Sequence, residues 1–358
     1  MSREIVSQST SHPVLPAVPP PIPEVMPAVM QGRYSDELAT ALSLKEALVP
    51  RPGKGQVLVR VEAAGVDRGV WHLATGRPFA LRLGFGYSGP RQPIQGLDLA
   101  GTVAAVGEGV TGFEIGEAVF GTGTGAYAAF ALAPATALAH RPAGLEASAA
   151  AALPVSGCTA LQAVRDHARV RAGQRVLVIG ASGGVGSFAV QLAVAAGAGV
   201  TGVASAAKHD FVLGLGAMDA IDHAREEINA RGGGYDVVID IAGNRPLGVL
   251  RRVLAPHGRL LIVGGEHGGP LLGGIDRQLR AQLIAPFTGQ RMGGMLGRTT
   301  RADLTALGEA FDGGGLRSVV TRTYPLAEAG AALADLGAGR ISGKAVVLVS
   351  GPPSPQQR

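Results

Sequence analysis

The chain has 358 residues, 46% of them hydrophobic, which is enough for two domains that each bury a core. Its 32 basic and 27 acidic residues are spread along the sequence, and no basic helix or aromatic RNA-binding signature accompanies the net charge of +5, so we predict no nucleic-acid partner. A single cysteine, Cys158, excludes an intrachain disulfide and a multi-cysteine zinc site, which is typical of a reducing compartment. Since the start lacks the apolar core of a signal peptide, we predict a cytoplasmic protein.

The first part of the chain is predicted to form a leader and a β-rich domain. Residues 1–25 are rich in proline, which favours extended backbone without a core; we interpret them as a disordered leader, with partner docking or a misassigned start codon as alternatives. From residue 26 to residue 150, short runs of branched residues alternate with Gly-rich turns, a pattern typical of a β-barrel-like domain. The predicted strands are Gln56–Glu62, Gly101–Gly107, Glu117–Phe120 and Tyr127–Leu132.

Residues 151–289 show a different pattern, in which Ala-rich helical segments alternate with short apolar runs. This alternation predicts βαβ units and a doubly wound parallel sheet, so the fold class is α/β. The stretch Val176–Ala207 carries no charge, but its glycines indicate a buried strand–helix–strand unit rather than a membrane span. Residues 290–350, with a last strand over Ala345–Val349, are predicted to complete the first domain, and 351–358 form a tail.

The most informative motif lies between the first strand of the sheet and the helix predicted over Ser187–Ala196. Gly180 and Gly183 allow a tight turn whose backbone approaches a pyrophosphate, and Gly186 allows the helix to pack closely on the strand. The helix N-terminus offers N–H groups and the positive end of its dipole to the phosphates. The motif therefore predicts a dinucleotide site formed by Gly180, Ser182, Gly183, Gly184, Val185 and Gly186.

The end of the next strand indicates which dinucleotide binds. NAD sites usually place an acidic residue about 20 residues further on, where it accepts a hydrogen bond from the ribose. Here the first acid is Asp210, whereas Ser205 and Lys208 offer a hydroxyl and a positive charge. We predict that these two residues bind the 2′-phosphate of NADPH; the alternative is that Lys208 is a solvated helix residue.

From 26 to 350 the sequence resembles the quinone oxidoreductase branch of the medium-chain dehydrogenases/reductases, and most closely the zinc-free reductases of the reticulon-4-interacting-protein type. The resemblance implies a GroES-like β-barrel substrate domain joined to a Rossmann domain, with the active site in the cleft between them. It also implies hydride transfer to a quinone or an α,β-unsaturated carbonyl compound, and a homodimer. The segments that carry it are Val57–Val61, Gly96–Gly101, Val106–Val110, Leu153–Leu161, Gly180–Gly186 and Gly343–Val346.

The resemblance also implies that a catalytic zinc is missing. The positions of the three zinc ligands of related alcohol dehydrogenases hold Asp67, Leu97 and Val155, and neither Leu97 nor Val155 can ligate a metal. A catalytic zinc takes about three protein ligands. We therefore predict no metal and a reductase of conjugated, already electrophilic acceptors.

Asp67, His72 and Thr159 are the cleft residues predicted to take part in catalysis. Relatives have Asn where this chain has Asp67, which could bond the substrate carbonyl only when protonated or through water; capping a local turn or pairing with Arg68 is the alternative. His72 matches a histidine of some relatives and could relay a proton, or serve only in the structure. No proton donor is evident, because Phe130 replaces the usual Tyr of relatives and Tyr127 is not an obvious substitute.

Other roles are implied by the resemblance alone. Thr159 matches a residue that holds the nicotinamide ring for hydride transfer, and His223 matches one that stacks on the adenine. Val263 and Gly264 match residues that line the nicotinamide pocket, and Lys344 matches a lysine that reaches the cofactor.

Three functions stay open on the sequence. The first is an NADPH-dependent reductase that acts on a small-molecule quinone or carbonyl substrate. The second is an enoyl-thioester reductase, for which the sequence shows no cleft for a phosphopantetheine arm. The third is a protein that binds NADPH without turnover, as a sensor or as a partner for another protein, because several usual cleft residues are replaced.

Overall fold

The computed structural model describes residues 21–230, 232–243, 245–265, 269 and 273–349. The predicted tail and all but the last five residues of the predicted leader lie outside this part of the chain. The first described strand includes Val25, the last residue assigned to the leader. Elements up to residue 151 are β1 (Val25–Met30), α1 (Leu38–Ala41), β2 (Ser43–Leu48), β3 (Gln56–Val66), α2 (Arg68–Thr75), α3 (Leu81–Phe85), β4 (Asp98–Val106), β5 (Ala118–Thr122), β6 (Phe130–Pro134), β7 (Leu138–His140) and α4 (Ala147–Ala151).

The second group of elements forms the half that contains the parallel sheet and is continuous in sequence. Its strands follow apolar runs, and helices cross between them as expected for βαβ units. The elements are α5 (Pro154–Leu161), β8 (Arg175–Ile179), α6 (Gly184–Ala195), β9 (Gly199–Ala204), α7 (His209–Gly214), β10 (Asp219–Asp222), β11 (Tyr235–Asp240), α8 (Leu247–Val253), β12 (Leu254–Ile262), α9 (Ile275–Ile284) and β13 (Arg291–Gly294).

The remaining elements are α10 (Arg301–Asp312), β14 (Val320–Pro325), α11 (Ala329–Gly337) and β15 (Lys344–Leu348). As predicted, the last strand returns to the first half of the molecule. It pairs antiparallel with β3, Ala345 opposite Val66, and parallel with β14.

Two large sheets organise the described residues. The parallel sheet has six strands in the order β10-β9-β8-β11-β12-β13, which is the Rossmann order. The other sheet has the order β14-β15-β3-β4-β5-β7, with β6 paired to β3, and β1 and β2 form a separate antiparallel pair. The predicted fold class, a Rossmann sheet with a GroES-like β domain, is confirmed.

A shared hydrophobic core holds the two sheets together. Its largest cluster contains Phe120 from the barrel, Val176 and Phe188 from the Rossmann half, and Leu304 and Leu307 of α10, all with less than 2% exposure. Burial of side chains from both sheets in one cluster fixes the cleft between them.

Several predicted boundaries differ from the structure by a few residues, and two of them lie near the site. Strand β6 begins at Phe130 rather than at Tyr127, because the backbone N–H of Tyr127 donates instead to the carbonyl of Gln95, at 2.9 Å. Helix α6 begins at Gly184 rather than at Ser187, so the glycine motif supplies the first helical turn itself. Within the described residues, no helix combines the length and apolar character needed to cross a bilayer.

Candidate functional site

The glycine loop after β8 has the geometry of a pyrophosphate cradle. Gly180 adopts φ +85°, a left-handed conformation that favours glycine. A Cβ atom on Gly186 would lie 2.0 Å from the carbonyl oxygen of Gly180, so only glycine allows this approach of α6 to the turn. Gly183 precedes α6 in extended backbone, and among the described side chains none caps the helix. The free N–H groups of this helix start fit a bound pyrophosphate.

The remaining loop residues connect the motif to the rest of the protein. The buried Ser182 accepts a hydrogen bond through its carbonyl from the N–H of Gly343, at 2.7 Å. A Cβ on Gly184 would lie 2.9 Å from Cδ of Lys344, so the lysine stem runs directly against the helix start. Val185 is half-buried against the main core. The loop is therefore held in place by Gly343 and Lys344, where the last strand begins.

The predicted 2′-phosphate residues lie together after β9, but the lysine already has partners. Ser205 and Lys208 are half-buried. The ammonium of Lys208 donates to the carbonyls of Gly339 and Ile341, both at 2.8 Å. Burial and the nearby charge of Arg322 lower the pKa of Lys208. A lysine has three donors, so one N–H remains for a phosphate in this positive region.

Three further predicted cofactor residues lie at carboxyl ends of strands in the same sheet. His223 follows β10 and is exposed, whereas Val263 and Gly264 follow β12 and their N–H groups donate to the carbonyl of Asp240. A Cβ on Gly264 would lie 1.9 Å from the carbonyl oxygen of Ile241. Because parallel strands end at one edge, these residues share that edge with Gly180, where open α/β sheets bind ligands.

Asp67 caps helix α2, which is one of the alternatives left open by the sequence. Its Oδ1 accepts hydrogen bonds from the N–H groups of Gly69 and Val70, at 2.8 and 3.2 Å. Its Oδ2 is buried and has no hydrogen-bond partner in the described part of the chain. Arg68 stacks over Trp71, 5.1 Å from the ring centroid.

His72 has a structural contact of its own. Its Nδ1 lies 2.8 Å from the carbonyl oxygen of Arg77, just beyond the end of α2. Its ring meets Trp71 edge-on, with centroids 5.1 Å apart. These contacts fix the ring orientation of His72, so its role as a proton relay stays a prediction.

Thr159 is positioned by its own helix. Its hydroxyl donates to the carbonyl of Val155, at 2.7 Å, one turn earlier in α5. This leaves the lone pairs of the oxygen able to accept a hydrogen bond. The segment after β13 approaches closely, since a Cβ on Gly297 would lie 2.3 Å from the hydroxyl oxygen of Thr159.

A buried charged cluster links the barrel to the glycine loop, and sequence reasoning missed its acidic member, Asp98. Lys344 and Asp98 are 2% and 0% exposed, and Nζ lies 3.6 Å from Oδ2. Neither of these two atoms has a hydrogen-bond partner among the described residues, while Oδ1 accepts from the N–H of Val155 at 3.1 Å. Burial, with a smaller contribution from the charge of Asp67, raises the pKa of Asp98 to about 8, against the opposing effect of Lys344. In the sequence, Asp98 was marked only by its position within Gly96–Gly101, one of the segments that carry the family resemblance.

Two other buried groups face this cluster. Tyr127 is 0% exposed, and its hydroxyl donates to the carbonyl of Gly65 at 3.2 Å. Burial and the two carboxylates Asp67 and Asp98 raise the pKa of Tyr127 well above its ordinary value. Burial also raises the pKa of Cys158 to about 12. Both groups are therefore neutral at physiological pH, and neither is an effective acid there.

No metal centre is evident in the part of the chain that the structure covers. No three His, Cys, Asp or Glu side chains among the described residues are grouped so that they could hold an ion.

Comparison with known proteins adds family relationships to this geometry. Residues 53–143 match the family model of the alcohol dehydrogenase GroES-like domain, and residues 215–347 match that of the zinc-binding dehydrogenases. A chloroplastic quinone oxidoreductase of Triphysaria versicolor is 31% identical over 344 residues, which cover 90% of this chain and 98% of that protein. The quinone oxidoreductase of Lama guanicoe is 34% identical over 322 residues, or 85% of this chain and 92% of that one.

A solved structure has the same architecture. The quinone oxidoreductase from Coxiella burnetii superposes with a TM-score of 0.79 at 27% identity, covering 91% of this chain and all of the other. The sheet order, the glycine loop and these relatives all indicate the same family. The chain therefore belongs to the quinone oxidoreductase-type medium-chain dehydrogenases/reductases, and it is an oxidoreductase.

Proposed function

We propose that the protein is an NADPH-dependent reductase whose acceptor is a quinone or an α,β-unsaturated carbonyl compound. The observation that carries this proposal is the glycine loop, where a Cβ on Gly186 would lie 2.0 Å from the carbonyl oxygen of Gly180; this close packing of helix on turn is typical of dinucleotide-binding loops and supports the proposal. The family relationship supports the choice of acceptor.

The chain's own residues have separate tasks in this proposal. Gly180, Gly183 and the start of α6 bind the pyrophosphate, and Ser205 and Lys208 bind the 2′-phosphate. Thr159 accepts a hydrogen bond from the nicotinamide amide and so orients the ring. When bound there, NADPH supplies the hydride for the acceptor, while a proton comes from water. Asp67 is the predicted contact of the substrate carbonyl, a contact that it can make only when its carboxyl group is protonated or through water.

The test is oxidation of NADPH and NADH by the purified protein with a panel of quinones, enones and an enoyl-thioester. Turnover with NADPH and a quinone or enone is the expected result, and the preferred acceptor identifies the substrate class. NADPH binding without turnover of any acceptor would overturn the proposal and favour a non-catalytic sensor or partner-binding protein.

We expect Lys208→Ala to weaken NADPH binding about tenfold while NADH binding changes little. A charge-assisted hydrogen bond to a phosphate contributes roughly 1.5–3 kcal/mol, and only NADPH carries the 2′-phosphate. Titration with each cofactor, with nicotinamide fluorescence as the readout, measures both affinities. Lys208 also donates to two carbonyl groups, and loss of these hydrogen bonds alone would lower the affinity for NADPH and NADH equally. An equal loss for both cofactors would therefore contradict the assignment of Lys208 to the 2′-phosphate.

We propose in addition that the protein is a zinc-free homodimer in the cytoplasm. Leu279 and Leu283 lie one turn apart on α9 and are 55% and 72% exposed, and Phe287, in the 3-10 turn after this helix, is 88% exposed; we propose that a second copy covers this apolar surface. Sedimentation equilibrium should give twice the chain mass, and metal analysis of the same sample should give no stoichiometric zinc. A monomer, or about one zinc per chain, would overturn the respective assignment. The cytoplasmic location remains a prediction from the single, buried Cys158.

A further inference from the structure

The segment 295–298, which follows β13, connects the carboxyl edge of the parallel sheet to helix α5. At one end, the N–H of Met295 donates to the carbonyl of Ile262, the last residue of β12, at 3.2 Å. At the other end, Gly297 packs so closely on Thr159 that a Cβ atom on the glycine would lie 2.3 Å from the hydroxyl oxygen. The segment therefore covers one side of the residue that the proposed function assigns to the nicotinamide.

This contact leaves the side chain of Thr159 little freedom to rotate. Its hydroxyl donates to the carbonyl of Val155 at 2.7 Å, and its branched Cβ restricts χ1 in any helix. A Cβ atom on Gly297 would also lie 3.3 Å from Cγ2 of Thr159, so the glycine faces both branches of the side chain. The rotamer of Thr159, and with it the direction of the lone pairs of its oxygen, therefore depends on where Gly297 is held.

Gln162 holds the residue that follows Gly297. Its side-chain NH₂ group donates to the carbonyl of Arg298 at 2.7 Å, and its Oε1 accepts from the N–H of Arg298 at 3.1 Å. The same NH₂ group donates to Oδ2 of Asp303, at 2.8 Å. Gln162 is only 9% exposed, and a buried amide that loses such partners is costly. The side chain therefore fixes the backbone of Arg298 at two points.

Asp303 fixes the orientation of this amide. Its Oδ1 accepts from Arg165 at 2.7 Å, and its Oδ2 accepts from the hydroxyl of Thr300, the N-cap of α10, at 2.9 Å. Burial raises the pKa of Asp303, but the hydrogen bonds to its carboxylate outweigh burial and lower the pKa below its ordinary value. An ionised carboxylate and a carbonyl oxygen can only accept, so the NH₂ group of Gln162 must face both of them.

We propose that Gln162 is a positioning residue for hydride transfer, which acts by holding Gly297 against the hydroxyl of Thr159. This role rests on the proposed function and goes beyond it, because it assigns a task to a residue that acts only through the backbone of Arg298. Misplacement of a reacting group by about 1 Å can cost roughly 100-fold in rate. Loss of the contact should therefore lower kcat, while the affinity for NADPH, which depends mainly on its phosphates, changes little.

Gln191 offers a matched control. It is 5% exposed and makes the same two-point contact with Arg317, whose carbonyl accepts from its NH₂ group at 3.3 Å and whose N–H donates to its Oε1 at 2.8 Å. This contact connects α6 to the segment before β14 and involves neither Thr159 nor Gly297. If both contacts were merely structural, loss of either glutamine would have the same consequences.

The experiment is a double-mutant cycle of Gln162→Ala and Thr159→Val, with kcat and KM for NADPH measured well below the melting temperature of every variant. We expect Gln162→Ala to lower kcat about tenfold and to change KM by no more than about twofold. In the Thr159→Val background the same substitution should change kcat by no more than about twofold, because its effect passes through the missing hydroxyl. Gln191→Ala should leave kcat at the wild-type value. Gln162→Met, which keeps the volume of the side chain, should reproduce the loss if the alanine variant folds poorly.

A second readout needs no turnover. The fluorescence lifetime of bound NADPH lengthens when the nicotinamide ring is immobilised, so Gln162→Ala should shorten it and Gln191→Ala should not. Wild-type kcat and lifetime in Gln162→Ala, an undiminished effect in the Thr159→Val background, or an equal loss of kcat in Gln191→Ala would each overturn the positioning role. A wild-type protein that binds NADPH but reduces no acceptor would count against the proposed function alone, because the lifetime still reports on Gln162.

Discussion

Gly186→Ala is expected to lower NADPH-dependent turnover about 100-fold and to destabilise the fold. The new methyl group would lie 2.0 Å from the carbonyl oxygen of Gly180 and 2.9 Å from Cα of Ala181. Both contacts are with backbone, so α6 and the turn must move apart, and a displacement near 1 Å can cost roughly 100-fold in rate. Overpacking of this kind typically costs about 1–3 kcal/mol of unfolding free energy. Thermal unfolding and NADPH titration measure the two effects.

Gly183→Ala is the matched control within the same loop. Gly183 has φ −83°, which any residue adopts, and a Cβ there would meet only the carbonyl oxygen of Gly180, at an ordinary 3.5 Å. The melting temperature of the Gly183→Ala protein should stay at the wild-type value, whereas the new methyl group obstructs the pyrophosphate and lowers the affinity for NADPH. A Gly186→Ala protein with wild-type stability and affinity would show that the helix and the turn are not packed as described.

Asp98→Asn is expected to remove a large pH dependence from the stability of the protein. The pKa of Asp98 is raised to about 8 in the folded state, above the ordinary value near 4 of an unfolded aspartate. A carboxyl with a raised folded pKa contributes its full stability below the unfolded pKa and loses it as the pH rises through the folded pKa. Relative to the wild type, the variant should therefore gain about 3 kcal/mol of unfolding free energy between pH 5.5 and 8.

Urea unfolding at a series of pH values measures this difference, and other titrating groups largely cancel between the two proteins. Asparagine keeps an oxygen that can accept the hydrogen bond from the N–H of Val155. The exposed Asp312→Asn serves as the control and should leave the pH profile unchanged. Parallel profiles for the wild type and Asp98→Asn would show that Lys344 keeps Asp98 ionised in the folded protein.

The parts of the site that are local in sequence could be predicted. The dinucleotide turn requires glycine at fixed offsets between a strand and a helix, and the structure has Gly180 and Gly186 in that arrangement. The start of strand β3 at Gln56 was predicted correctly, because branched residues alternate there directly after a turn signal. The start of α6 was wrong by three residues, since glycine has poor helix propensity and does not by itself indicate a helix.

Contacts between distant parts of the chain could not be predicted. Lys344 was expected to reach the cofactor, but its pairing with Asp98 depends on strands β15 and β4 lying on either side of β3. The carbonyl partners of Lys208 come from the segment after α11. The register that places Arg259 opposite Arg291 on two neighbouring strands could not be predicted either, because the sequence showed only scattered basic residues.

The position of β15 has a consequence for how the protein is made. All six strands of the parallel sheet lie between Arg175 and Gly294, so this sheet can assemble as soon as that segment leaves the ribosome. The barrel sheet instead needs β15 beside β3, a pairing of very high sequence separation that forms slowly. The nucleotide-binding half can therefore act as a template during synthesis, and the barrel is completed only after the last strand emerges.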